Sequence, residues 1–404
     1  MPDFAFVIKS YDSDLVGGGE TLVRQFSRQL ADSGYSVEIL TTCIRNYQDW
    51  REVYQPGLSL VDDVAVRRFP IWHSDGSLYE ELGHKIGNRL AHNQADGYLW
   101  FRAGLHSPAM YQYLQQHGRD YRLIVVLDYF VGLSLYALWA NSGRTALYPL
   151  LHDEPFAHLS AVRRWLNAAH GIMFNGPAER EFARFELGVG NPRTSIVGVG
   201  VETALIGQAE RFRQKYGIQQ PFLLYVGRLD VAKNLPTLIT YFQRYKALNN
   251  TDLKLVLMGQ GPFQVTAHAD IVSLGFCPEE DKLDAYAAAM ALCQPSLLES
   301  LSIVVLEALA QKTPVLVHGA NDVTRCHCLA GNCGLYFYGY EDFAWTLNYL
   351  ETQSDIRQQL GKNGRNYVLE SYSWEIVTRR LLAALDDFGC HKNQAGCSGS
   401  VGLP

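Results

Sequence analysis

Apolar residues fall along this chain in short, nearly unbroken runs separated by amphipathic stretches. Residues 4–8 and 123–127 are such runs, and four to eight apolar residues between turn signals mark strands buried on both faces. Further strands are expected at 36–41, 64–70, 145–151, 171–175 and 194–199, about seven in the first half. Leu22, Val23, Phe26, Leu30 and Ala31 recur at helical spacing after Glu20, which predicts a helix with one buried face. Leu82, Ile86, Leu90 and Tyr98 predict another over 79–101. Residues 129–140 are apolar but for Ser134; they fall short of the roughly 18 needed to span a bilayer, and predict a core helix.

The alternation restarts at Phe222. Strands are expected at 222–226, 253–258, 271–275, 291–294 and 314–317, with helices at 236–248, 281–290, 354–372 and 374–388 and a short one at 212–217. Alternating strands and helices predict parallel sheets covered on both faces. The expectation is an α/β protein of two doubly wound domains, 1–203 and 204–372. The linker would lie within 202–221, and a closing helix over 373–388 would return to the first domain. The tail 389–404, rich in Gly and Ser without apolar period, is expected to lack order.

One stretch, Pro295 to Val317, concentrates the chemistry. Ser302 offers a hydroxyl suited to an N-cap. The helix after it is apolar on nearly every face, yet contains Glu307, and a buried carboxylate needs a partner. Glu299 lies eight residues earlier, where the free N–H groups of the helix start favour an anion. Arg228 and Lys233 follow the 222–226 strand and form a candidate diphosphate clamp, Arg as a fork and Lys as a point charge. Together these groups suit a phosphorylated ligand rich in hydroxyls, such as a sugar nucleotide. In the first half, Gly17-Gly18-Gly19 opens the first helix and lets a ligand approach the backbone, although the G-x-G-x-x-G spacing of a dinucleotide site is missing. His152 closes a strand at the end where open α/β sheets bind ligands.

Composition removes several alternatives. A net charge of −6 and a pI near 6.1 argue against nucleic-acid binding. Eight cysteines in 404 residues make no disulfide scaffold, and Cys43, Cys277 and Cys293 are expected as buried thiols in a reducing compartment. With no signal-peptide layout at the start, the expected location is cytoplasmic. Arg163-Arg164-Trp165 allows a weak peripheral contact with the inner membrane face. Asp12-Ser13-Asp14 matches a metal-binding D-x-D but lies directly after the first strand, and is read as loop charge. Cys326-His327-Cys328, with Cys333 beyond, lacks the second ligand pair of a zinc site.

In this order the residues resemble the retaining GT-B glycosyltransferases of family 4, also called group 1. The matches are Gly17-Gly18-Gly19-Glu20, His152-Asp153, Gly198 to Glu202, Gly227-Arg228-Leu229 with Lys233, Gly259-Gln260-Gly261, and Glu299 with Glu307 as the E-x7-E pair. The chain departs from the family pattern at Gly198 to Glu202, at Asn175, and at Gln311-Lys312-Thr313 before Pro314. The resemblance implies two Rossmann-like domains facing each other across a cleft. It implies Glu299, Arg228, Lys233 and His152 as catalytic residues. It places the donor on Gly18, Gly19, Arg228, Lys233, Phe276, Glu299, Ser300, Leu301, Ser302, Ile303 and Glu307. Its implied partners are a nucleoside-diphosphate sugar and a glycan, glycolipid or small hydroxyl acceptor, with no cofactor and no metal. A non-hydrolysing sugar-nucleotide epimerase and a non-catalytic protein of the same fold that binds a glycan or a partner are the rival readings.

Overall fold

The computed structural model describes residues 2–15, 17–47, 49–72 and 76–389. Of the tail expected to lack order, all but Gly389 lies outside the described residues. The chain divides into two units, Met1–Val197 with the segment from Thr378, and Gly198–Val377.

The first unit is built on one eight-stranded sheet. Its strands are β1 (Phe4–Val7), β2 (Val37–Thr42), β3 (Gly57–Val61), β4 (Val64–Phe69), β5 (Leu123–Leu127), β6 (Thr145–Tyr148), β7 (Gly171–Phe174) and β8 (Thr194–Ile196), in the order β3-β4-β2-β1-β5-β6-β7-β8. Every pairing is parallel except the β3–β4 hairpin. β3 escaped the sequence reading because it has no buried face: Leu58 is 59% and Leu60 72% exposed. Its turn, Asp62-Asp63, takes positive φ at both residues (48° and 64°), the backbone of a two-residue hairpin turn without the glycine that would have signalled it.

The helix expected over 79–101 is two helices, Gly76–Gly87 and Gln94–Ala103. Arg89 adopts φ 55°, and Asn93 caps the second helix in a reciprocal capping box with Asp96, which starts a new helix rather than continuing the old one. Leu90, counted on the apolar face, is exposed between them. Trp165 is fully buried in the core of this unit. It therefore does not stand beside Arg163 and Arg164 as a membrane-facing patch. The helix Trp374–Phe388 packs its last turn on the first sheet, where Phe388 covers Gly171 and Asp386 meets Arg122 at 3.0 Å.

The second unit holds a six-stranded parallel sheet: β9 (Phe222–Val226), β10 (Lys254–Met258), β11 (Ile271–Gly275), β12 (Ala291–Gln294), β13 (Val315–His318) and β14 (Gly334–Phe337), in the order β11-β10-β9-β12-β13-β14. β14 was not foreseen; it is a half-buried edge strand. The apolar helix Ile303–Ala310 lies against the helix Ser354–Ser371. The contact depends on two glycines: a Cβ at Gly361 would stand 2.0 Å from the Lys312 carbonyl oxygen, and one at Gly364 would stand 2.5 Å from Leu309. Among the described residues no helix is long and apolar enough to cross a membrane.

Overpacking of a filled contact costs about 1–3 kcal/mol, and Gly361→Ala is expected to destabilise the second unit by roughly that amount, read as a lower urea midpoint with unchanged slope.

Candidate functional site

In the second unit β9 is the strand from which the sheet grows both ways, to β10 and β11 on one side and to β12, β13 and β14 on the other. Only Ala291 and Leu292 of β12 pair with β9. The carboxyl ends of these two strands therefore part, and this is the topological switch point where open α/β sheets take ligands. Gly227, Arg228 and Lys233 follow β9, and residues 295–302 follow β12. Lys233 Nζ reaches Glu299 Oε1 at 2.7 Å, and the adjacent Asn234 donates from Nδ2 to the Pro295 carbonyl at 3.0 Å. Glu299 is only 11% exposed. The Arg228 guanidinium, 3.0 Å from Asp230, is 55% exposed and stays largely open to solvent. The loop carrying Arg228 lies backbone to backbone on the one after β10. Gly227 donates to the Met258 carbonyl, Leu229 to the Gln260 carbonyl, and a Cβ at Gly259 would stand 1.9 Å from the Gly227 oxygen.

Ser302 stands at the N-cap position of the helix Ile303–Ala310, but it does not cap as expected. Its backbone is left-handed (φ 66°, ψ 74°) and its side chain makes no cap bond. The hydroxyl instead accepts from Gln294 Nε2 at 3.3 Å. The first N–H of the turn to find a partner is that of Val305. From Ser300 through Val304 the N–H groups have no acceptor among the described residues, so several donors stay open at a helix start. The Leu301 side chain is buried, and only its backbone can serve a ligand.

Glu307 has the neutralising partners that its burial demands. Lys282 Nζ stands 2.9 Å from Oε1, and the Tyr286 hydroxyl donates to Oε2 at 2.9 Å. Burial raises the Glu307 carboxyl above its ordinary pKa, and Lys282 brings it back only in part. Neither partner was predicted, nor was His327, whose Nε2 lies 2.9 Å from the Leu301 carbonyl. The other nitrogen of His327 meets the Tyr367 hydroxyl at 2.9 Å, so neither is free for a metal. Cys43 and Cys293 are buried thiols as expected, while Cys277 is only half-buried. Phe276 is exposed just past β11, two strands from β9, roughly 10 Å away at sheet spacing.

In the first unit β1 occupies the corresponding place, between β2 and β5. Lys9 just past β1 and Asp128 just past β5 form an ion pair of 2.7 Å. Gly18 opens the helix Gly18–Asp32 with nothing within 4 Å of a notional Cβ, whereas that of Gly19 would touch Ile8 and Leu150. The glycine loop thus rests on the segment that carries His152. His152 Nδ1 lies 3.7 Å from Glu154. The buried Glu179 accepts from the N–H groups of Leu151 and Asn175, at 2.6 Å each, and fixes the backbone beside His152. Burial pushes its carboxyl up to about 7. Asp12 and Asp14 are taken by Tyr54 and Arg45, in keeping with loop charge.

Residues 208–367, inside the second unit, match the family described as Glycosyl transferases group 1. A D-inositol 3-phosphate glycosyltransferase of Kribbella flavida is 25% identical, over 91% of this chain and 90% of its own length. The structure of a sucrose-phosphate synthase from Thermosynechococcus elongatus superposes with a TM-score of 0.69 at 18% identity, covering 95% of this chain and 98% of the other. That of Anabaena Alr3699/HepE in complex with UDP and glucose does so with a TM-score of 0.68 at 16% identity, covering 96% and 100%. The two parallel-sheet α/β units form the GT-B fold.

Burial also drives the His327 imidazole down to about 4. An unfolded histidine titrates near 6.5, so between these values the unfolded chain binds the extra proton. Stability of the second unit should therefore fall as pH drops from about 6.5 through about 4, by on the order of 3 kcal/mol. Glu179 works in the opposite sense in the first unit, since its raised pKa makes stability fall as pH rises from about 4.5 to about 7. Comparing urea unfolding of wild type and His327→Gln across pH isolates the first effect: the variant should lose the acid-side decline.

Proposed function

We propose that the chain is a member of the glycosyl transferases group 1 family, whose model residues 208–367 match, and that it moves a sugar from a nucleoside-diphosphate sugar to a hydroxyl acceptor, retaining anomeric configuration. The observation that carries this reading is the meeting of Lys233 and Glu299 at the switch point of the second sheet, next to Arg228 and a row of free N–H groups.

Breaking the bond between sugar and diphosphate leaves growing negative charge on the phosphate oxygens. Preorganised donors aimed at that charge lower the barrier. Arg228, open to solvent, can fork two phosphate oxygens. Lys233 supplies a compact charge that Glu299 holds in place. The N–H groups of Ser300, Leu301, Ser302 and Ile303 add the positive end of a helix. These donors supply the charge that a divalent ion would otherwise bring, so the reading includes no metal and no cofactor.

Glu299, with one oxygen on Lys233, keeps the other for hydroxyls of the transferred sugar. Glu307 has one partner on each oxygen, and an ionised carboxylate offers about four lone-pair sites. The remaining sites can receive ribose hydroxyls. Gly18, with open space where a side chain would be, allows close approach of the diphosphate and acceptor, and His152 serves near the reacting carbon of the sugar. Phe276 would contact the base through its loop. The acceptor is a glycan, a glycolipid or a small hydroxyl compound. The similar Anabaena structure holds UDP and glucose, which makes UDP-glucose the first donor to try.

The test is a donor panel read by proton NMR. Transfer or slow donor hydrolysis with an axial or equatorial product matching the donor is expected, and undiminished turnover in EDTA. Wild-type protein that binds neither UDP nor GDP would refute the reading, and conversion of the donor without an acceptor would make it an epimerase. Lys233→Ala and Glu299→Ala are each expected to lower kcat/KM by roughly 10²–10³, the usual cost of losing a preorganised electrostatic group, with unchanged far-UV circular dichroism. Normal rates in both would remove these residues from the site.

A further inference from the structure

His327 lies in the helix Asp322–Gly331, is 3% exposed, and was singled out in the sequence only within the Cys326-His327-Cys328 cluster, not among the donor-site motifs. Its two ring nitrogens are both committed. The Leu301 carbonyl can only accept, so Nε2 carries the proton and donates to it at 2.9 Å. Nδ1 is then bare and accepts from the Tyr367 hydroxyl at 2.9 Å. Burial favours this neutral ring.

The bond to Leu301 has a consequence on the far side of the same peptide. A trans peptide is planar, with its C=O and N–H pointing in opposite directions. The peptide whose carbonyl is Leu301 has as its N–H that of Ser302. Drawing the carbonyl to His327 therefore turns the Ser302 N–H away from that ring, and that N–H has no acceptor among the described residues. The arrangement is held against a preference: Ser302 sits in the left-handed region at φ 66°, which is uphill for a residue with a Cβ. Rotation of this one peptide would relieve it, and would present a carbonyl oxygen where the N–H had been. An oxygen there would repel an anion that the N–H attracts.

We propose that His327 is a positioning residue that locks the Leu301–Ser302 peptide with its N–H facing the donor diphosphate. This rests on the reading of the site given above. His327 touches neither sugar nor phosphate; it sets the sign of the backbone dipole that does.

The test compares His327→Phe, which fills the space without a donor, and His327→Gln, which keeps one. Calorimetric titration would use UDP and GDP, with uridine and guanosine as probes lacking the diphosphate. Phe at 327 should weaken the diphosphate by roughly tenfold or more, the loss of one hydrogen bond to a charged group. Nucleoside binding should not change, and Gln should recover most of the loss. Equal weakening of diphosphate and nucleoside would mean a merely structural role, and no weakening of either would overturn the inference while leaving the site intact. Failure of wild type to bind UDP or GDP would instead bring down the functional reading, and this inference with it. A wild-type measurement covers the case of a variant that does not fold: the Ser302 amide proton should move downfield on adding the diphosphate, and an unmoved resonance overturns the proposal.

Discussion

A parallel sheet that grows in both directions from one strand cannot keep its connections together at that strand's carboxyl end. One crossover leaves toward one face and the next toward the other, so a gap opens between the two central strands. In the second unit this gap separates the ends of β9 and β12. The positions of Arg228, Lys233 and Glu299 follow from it, because the loops that leave β9 and β12 are the two that border the gap. The first unit repeats the geometry at β1 and β5, and there too the bordering residues, Lys9 and Asp128, are charged and paired.

Charges placed at such an edge are partly withdrawn from water, and the structure meets the cost by pairing. Glu299 has Lys233, Glu307 has Lys282, and in the same unit Asp284 has Arg211 and Asp281 has Lys215. Removing one partner from a buried pair leaves an uncompensated charge, which is worse than never having placed it there. The site carboxylates are thus oriented before any ligand arrives. Arg228 is the least confined of the group, and the guanidinium is the one with freedom to adjust to a ligand.

How much of this could be read from the chain depended on whether the signal was local. β9 and β5 were legible because strands buried on both faces are apolar at every position. β3 and β14 were not, since an edge strand needs no such run. Glu299 and Glu307 stood out because they share one short stretch with an apolar helix. Lys282 and His327, which govern what Glu307 and Leu301 can do, are 25 and 26 residues from those partners, and nothing near them marks the contact. Ser302 shows the converse error: residue type suggested a hydroxyl cap, but the backbone there is left-handed and the hydroxyl turns to Gln294. The unbroken helix over 79–101 failed for a related reason, since the period carried across a break that Asn93 and Asp96 had marked.

The backbone contact between Gly227 and Gly259 bears on how this protein could be reshaped. The loop after β9 and the loop after β10 have no side chains between them: Gly227 and Leu229 donate to Met258 and Gln260, and Phe263 donates back to Leu229. Both glycines hold positive φ, 152° and 141°, which side chains rarely accept. The two loops are therefore a single unit of inheritance. A chimera that imports residues 227–233 from another protein without the matching 258–263 would bring a Cβ or a shifted carbonyl into a space already occupied by main chain. Swaps intended to change donor preference should move both segments together.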